Sequence, residues 1–334
     1  MYERFFGFRE RPFDLTPSPR YLVLTKMHQE ALSNLEYAIA SRKGITLLIG
    51  EAGLGKTTII RTAIERQPAR VHCVHITNPT LTRDEFVEVL SARFNLSDRA
   101  RTSKSALLLE LETLLQRRAD TQETTLLIVD EAQSLPIDIV EEIRLLSNIE
   151  TTTEKLLSIV LAGQPQLARR LNEHDLFQLK QRVALRAELR PLDAQETAAY
   201  ITGRVSAAGG NASQVFTREA VSLIHEQARG IPRSMNVLAD NALLSAFALG
   251  LRPVNSQIVR EVCRDFDFAA PADAAGEPPA PPTEAVRPVE TAAPKPVQPR
   301  VLALGTHDRE DTADPADASM FSTFQAKRRR FGFF

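Results

Sequence analysis

The chain has 334 residues, enough for one large domain or two smaller ones with a substantial core. Its 41 basic and 42 acidic side chains nearly cancel, so no global field advertises nucleic acid or an anionic membrane as a partner. Two cysteines, Cys73 and Cys263, exclude a disulfide framework and a cysteine-based zinc site and suit a reducing compartment.

Residues 1–25 concentrate Phe5, Phe6, Phe8, Pro12, Phe13, Pro17, Pro19 and Tyr21. Prolines at this density predict an irregular arm pinned down by its aromatics. Two readings stand: the arm caps the core, or it closes over the base of a nucleotide held by the loop that follows. The opening residues lack signal-peptide architecture. The most apolar run, Ala242 to Leu251, is too short to cross a bilayer. A cytoplasmic protein is the expectation.

Met27 to Ser41 places Ala31, Leu35, Ala38 and Ile39 on one helical face. Ile45–Ile49 is a short apolar run that reads as a buried strand, and Gly50-Glu51-Ala52-Gly53-Leu54-Gly55-Lys56-Thr57 follows it. This segment fits the phosphate-binding pattern G-x-x-x-x-G-K-[ST], and Thr57 to Arg66 continues as a helix carrying Ile59, Ile60, Ala63 and Ile64. Glycines let the backbone wrap an anion while loop and helix amides point at it. Gly50 to Thr57, with Thr58 beside them, are the candidate phosphate ligands. Lys56 is expected to reach the β- and γ-phosphates of ATP, and the Thr57 hydroxyl to ligate Mg²⁺.

Val71–Ile76 alternates as a strand. His72 and His75 lack the carboxylate or cysteine company of a metal site, so they read as strand positions near a surface. Helices are expected over Arg83–Phe94 and Lys104–Arg118. Thr125 to Val129 then runs into Asp130 and Glu131. A buried parallel strand delivers its last residues where open α/β sheets bind ligands. Asp130 is the candidate for Mg²⁺ and Glu131 for orienting and deprotonating the attacking water. A helix over Asp138–Ile149 and a strand over Leu156–Ala162 follow. Gln164, at that strand's tip, either senses the γ-phosphate or is a turn residue without chemistry.

Leu179 to Leu192 carries Arg182, Arg186 and Arg190 four residues apart. On a helix they would form one solvated basic face. If a strand begins near Val183, Arg182 stands at a corner, exposed and able to reach a neighbouring subunit. Four helices are expected next, over Asp193–Ala207, Thr217–Arg229, Pro232–Leu249 and Asn255–Phe266, with Asp193 and Glu196 at capping-box spacing. Arg233 projects from the first turn of one of them, where a cation opposes the helix dipole and an anionic partner is suspected. Beyond Phe268 half of the 20 prolines fall after residue 270, a composition that cannot bury a core. Lys327-Arg328-Arg329-Arg330-Phe331-Gly332-Phe333-Phe334 closes the chain. It reads either as a peptide that docks on a partner or an anionic membrane surface, or as a solvated tail.

The order of these parts resembles AAA+ ATPases, and more narrowly the ExeA type, the general secretion pathway protein A group with its pilus and exopolysaccharide (exosortase-associated) relatives. The resemblance rests on Met1-Tyr2, Phe6-Gly7-Phe8, Pro12 to Arg20, His28-Gln29-Glu30-Ala31-Leu32, Gly50 to Thr57, Ile128 to Gln133, Gly163 to Leu167 and Gly230-Ile231-Pro232-Arg233. It implies an α/β fold, a P-loop parallel sheet with flanking helices followed by an all-helical lid and a disordered C-terminal tail. The segments expected are an arm and lead-in helix (1–43), the ATPase core (44–191), the lid (192–268) and the tail (269–334). The resemblance makes Arg182 the arginine finger, with Arg186 as alternative, Gln164 sensor one and Arg233 sensor two. It implies a self-associating ATPase that serves a cell-envelope export or assembly system, cytoplasmic or peripheral at the inner membrane. Secretion-type members continue into a membrane span and a periplasmic peptidoglycan-binding region. Here a Pro/Ala-rich tail and a basic–aromatic end stand in that place, so what the resemblance implies is the fold and the ATPase chemistry. The competing expectation is an ATP-switched, DNA-binding regulator of the transposition type.

Overall fold

The computed structural model describes residues 1–14, 25–67, 70–77 and 80–266. Five short runs form one sheet: β1 (Ile45–Ile49), β2 (Val71–Ile76), β3 (Thr124–Val129), β4 (Ser158–Gly163) and β5 (Val183–Glu188). All pairs are parallel, in the order β2-β3-β4-β1-β5. β1, β3 and β4 are buried along their whole length, as strands covered on both faces must be. Their two-residue period divides the side chains between two cores. Leu47, Leu127 and Ile159 enter one cluster, while Leu48, Leu126 and Val160 enter the other.

A short helix, α1 (Tyr2–Phe6), opens the chain. α2 (Lys26–Ala40) and α3 (Lys56–Glu65) cover one face of the sheet through Leu32, Leu35, Ile39, Ile59 and Ile60. The other face packs against α4 (Arg83–Arg93), α5 (Asp98–Thr102), α6 (Lys104–Asp120) and α7 (Ile137–Leu146). Thr82, Ser97 and Ser103 start the first three of these helices by accepting backbone N–H groups at their N-termini. Buried Glu142 on α7 accepts from Arg83 Nε at 2.6 Å and Lys104 Nζ at 2.8 Å, which ties α4 and α6 to α7. Between β4 and β5 lie α8 (Pro165–Arg170) and α9 (Phe177–Lys180).

After β5 only helices are described: α10 (Ala194–Ala207), α11 (Ala212–Val215), α12 (Arg218–Ala228), α13 (Pro232–Ala248) and α14 (Ser256–Asp265). Asp193 and Glu196 form a complete capping box at the start of α10. The lid's core contains Ile201, Ile224, Leu238 and Val259.

The structure departs from the sequence reading in three places and decides between its two readings of residues 179–192 in a fourth. The arm is not wholly irregular, because α1 forms ahead of the prolines. Nor does it cap the sheet: Tyr2, Phe6, Phe8 and Phe13 are buried in the lid's cluster. Buried Arg204 on α10 fixes the arm there, donating to the carbonyls of Pro12 at 2.6 Å and Asp14 at 3.1 Å. The segment from Val183 is a strand, so Arg182, Arg186 and Arg190 do not share a helical face. Finally, the helix expected to run to Ile149 stops at Leu146. The Leu15–Tyr21 part of the arm and the tail from 269 onward, including Lys327–Phe334, lie outside the described residues.

Candidate nucleotide site

The C-terminal ends of β1, β3 and β4 meet at one edge of the sheet, the place where parallel sheets bind ligands. Gly50 N–H donates to the Gly163 carbonyl at 3.0 Å, which joins the ends of β1 and β4. The loop then turns through Gly53 (φ +84°) and Gly55 (φ +92°) into α3. Both lie in the left-handed region, where a side chain is strained. Leu54, 1% exposed, anchors the loop in the core behind it. Buried His28 on α2 braces the same point, with Nδ1 2.7 Å from Thr25 Oγ1 and Nε2 3.4 Å from the Leu54 carbonyl. Glu51 and Ala52 are exposed at the loop's outer turn, and Thr58 is half-buried beside Thr57.

Lys56 is 6% exposed, and its ammonium donates to the carbonyls of Gly50 at 2.8 Å and Glu51 at 3.1 Å. Burial lowers its pKa, while the charges of Glu131 and Asp130 oppose that shift. The Thr57 hydroxyl donates to Asp130 Oδ2 at 3.1 Å, and Asp130 Oδ1 accepts the Glu131 N–H at 3.0 Å. Glu131 has a left-handed backbone, φ 50° and ψ 37°. Non-glycine residues hold that conformation only where their surroundings impose it. Burial pushes the Glu131 pKa up, but hydrogen bonds from Gln133 and Gln164 and the charge of Lys56 outweigh it and leave it lowered.

Gln164 is the N-cap residue of α8, and its Nε2 donates to Glu131 Oε2 at 3.1 Å. The lid reaches the same place. Arg233 N–H donates to the Gly53 carbonyl at 3.2 Å, and a Cβ on Gly53 would lie 2.8 Å from that of Arg233. The first turn of α13 therefore rests on the phosphate loop, with the Arg233 side chain exposed.

The structure thus brings together the loop, Asp130, Glu131, Gln164 and Arg233. It does not bring Arg182 to them. Arg182 directly precedes β5, and Val183 pairs with Ile45 at the N-terminal end of β1, one strand length from the loop. Arg182 is exposed, and its charge acts on Glu141 and Glu150.

The donor set suits Mg²⁺, a hard cation that takes one or two protein oxygens and completes its shell with phosphates and water. A carboxylate and a hydroxyl in contact, Asp130 and Thr57, supply such oxygens. Among the described residues no group of three or more His, Cys, Asp or Glu side chains is placed to hold a metal alone. His72 instead sits 2.6 Å from the Glu123 carboxylate.

A sequence profile for an AAA domain matches residues 39–171. General secretion pathway protein A of Aeromonas hydrophila is 39% identical over 251 residues, covering 75% of this chain and 46% of that protein. The chain therefore spans less than half the length of this relative. Among solved structures, the Aeropyrum pernix ORC2 protein in ADPNP and ADP complexes gives a TM-score of 0.60 at 17% identity, over 79% of this chain and 73% of that one. Cdc6p of Pyrobaculum aerophilum gives 0.58 at 16% identity, over 76% and 70%. Likeness at such identities establishes the fold alone. Profile, relative and fold together make the chain a nucleotide-binding AAA+ ATPase. Within that class it is similar, over 251 residues, to general secretion pathway protein A.

The sequence reading gave no role to Gln133, Arg204 or His28. Gln133 and His28 stand in motifs that carry the resemblance, but the sequence does not reveal that both touch the site. The role of Arg204 in holding the arm carries no local signal, since its two acceptors there lie about 190 residues away.

Proposed function

We propose that the chain is a Mg²⁺-dependent ATPase that drives or regulates assembly of a cell-envelope export, pilus or exopolysaccharide system, at or near the inner membrane. The contact of Thr57 with Asp130, beside Glu131, carries the chemical part of this reading. Lys56 and the loop amides hold the phosphates, and Thr57 and Asp130 hold Mg²⁺. Bound there, the ion neutralises charge on the phosphate oxygens. Glu131, kept ionised by its neighbours, orients the attacking water and takes its proton. Gln164 and Arg233 read the phosphates from the strand tip and the lid. The assembly role is supported by the Aeromonas hydrophila relative's name, and no described helix is long and apolar enough to cross a membrane.

Arg182 lies away from its own site, at the opposite end of the sheet. In a homo-oligomer it would complete a neighbour's site, a contribution typically on the order of 10³-fold or more in rate. ATP turnover against protein concentration tests this for the native chain, Glu131→Gln and Arg182→Ala, with and without DNA. Turnover per chain should rise with concentration in the native protein and vanish in Glu131→Gln. Arg182→Ala should flatten the rise. A rate independent of concentration would refute the arginine in trans, and steep stimulation by DNA would replace the export role with a DNA-switched one.

A further inference from the structure

Gln133 lies two residues past Glu131, in the 3-10 turn Ala132–Ser134. Both ends of its side-chain amide are engaged. Nε2 donates to Glu131 Oε2 at 2.5 Å, and Oε1 accepts the backbone N–H of Gln164 at 3.0 Å. These partners fix the amide's orientation, because a carboxylate only accepts and a backbone N–H only donates. Gln164 Nε2 donates to the same Glu131 oxygen, so two amides converge on one carboxylate oxygen.

The turn itself is fastened to α8. The Arg170 guanidinium donates to the Gln133 carbonyl and, at 3.0 Å, to that of Leu135. Packing is tight as well: a Cβ on Gly163 would lie 2.9 Å from Gln133 Oε1 and 2.8 Å from Leu167 Cδ2. The two amides therefore differ in freedom. Gln164 Nε2 makes one hydrogen bond, to Glu131, and leaves it if the side chain turns to a phosphate. Gln133 is held at its far end by the start of α8 and cannot follow.

We propose that Gln133 is a positioning residue for ATP hydrolysis, whose amide nitrogen keeps the Glu131 carboxylate aimed while Gln164 exchanges that carboxylate for the phosphate. The inference rests on the reading of Glu131 as the group that takes the water's proton. It gives Glu131 one permanent donor and one exchangeable donor. The permanent donor sustains its unusual backbone and side-chain direction through the cycle. An acid left without it would be free to leave the line of attack, and misplacement of about 1 Å costs on the order of 10²-fold in rate.

The test uses the full chain and measures kcat, KM, affinity for a fluorescent ATP analogue, and melting temperature. Gln133→Glu keeps the shape and an oxygen for the Gln164 N–H, but replaces the donor to Glu131 with an acceptor. It should lower kcat on the order of 10²-fold, with KM and analogue affinity unchanged. Gln133→Met, which cannot donate but fills similar space, should show the same split. In the double variant Glu131→Gln with Gln133→Glu, donor and acceptor are exchanged, so the melting temperature should recover while turnover stays absent. A Gln133→Glu enzyme with native kcat overturns the proposal, and so does one losing affinity in proportion to kcat. Full turnover in Glu131→Gln alone would overturn the reading beneath it. Inactive Glu131→Gln beside fully active Gln133→Glu would overturn only the role of Gln133.

Discussion

Replacing Gly230 by alanine strikes the joint through which the lid sits on the phosphate loop. Gly230 has φ +69°, and a Cβ built there would lie 2.1 Å from the Leu192 carbonyl oxygen and 2.9 Å from its nitrogen. Both are backbone atoms, and the Leu192 N–H donates to Gly230 O at 2.8 Å, so neither side yields easily. A left-handed alanine costs roughly 1–2 kcal/mol, and forcing the backbones apart adds about 1–3 kcal/mol. Gly250 is the matched control: its φ is +64°, but nothing lies within 4 Å of a Cβ there. Gly250→Ala should therefore show only the first cost. Three residues beyond Gly230, Arg233 N–H holds the Gly53 carbonyl. Displacing this segment should weaken nucleotide binding in Gly230→Ala and leave it intact in Gly250→Ala. Urea unfolding and titration with a fluorescent ATP analogue measure both effects. Equal destabilisation of the two variants within about 0.5 kcal/mol, with equal affinity, would refute the steric argument.

Four further outcomes are expected. Arg204→Met removes the buried donors to Pro12, Asp14 and the Tyr200 hydroxyl and should cost about 2–4 kcal/mol in urea unfolding. Arg252→Met, an exposed residue whose bonds are 3.2–3.4 Å long, should cost under about 1 kcal/mol. Burial lowers the His28 pKa, against an upward pull from the Leu54 carbonyl and Glu196. The unfolded chain then binds a proton at higher pH than the folded one, so stability falls as pH drops below about 6.5. His28→Gln should make the midpoint less sensitive to acid, and an unchanged slope would show that His28 is not the group responsible. Asp130→Asn keeps an acceptor for the Thr57 hydroxyl but loses the charge. It should bind nucleotide, raise the Mg²⁺ concentration needed for turnover, and lower kcat on the order of 10²-fold or more.

The sequence by itself determined the parts of this protein that rest on local pattern. Short, nearly continuous apolar runs mark β1, β3 and β4, the pattern of strands buried on both faces. The phosphate loop is legible because glycine is required where the backbone turns left-handed, at Gly53 and Gly55. The capping box at Asp193 and Glu196 announces the lid's first helix for the same reason: the signal and the structure lie within one turn. Short helices such as α5 and α11 escaped, since four or five residues carry too little periodicity.

What the tertiary structure decided is where distant segments meet. Phe6, Phe8 and Phe13 were legible as anchors but not as parts of the lid, because aromatic side chains without a period say nothing about which core receives them. The amide of Gln133 looks like any polar turn residue until the sheet order sets β4 beside β3 and brings Gln164 to Glu131. The same order sends Arg182 to the end of the sheet opposite the loop. Sequence period fixes which face of an element is apolar. Only the packing of elements, through contacts between residues tens to hundreds of positions apart, fixes which side chains share a site.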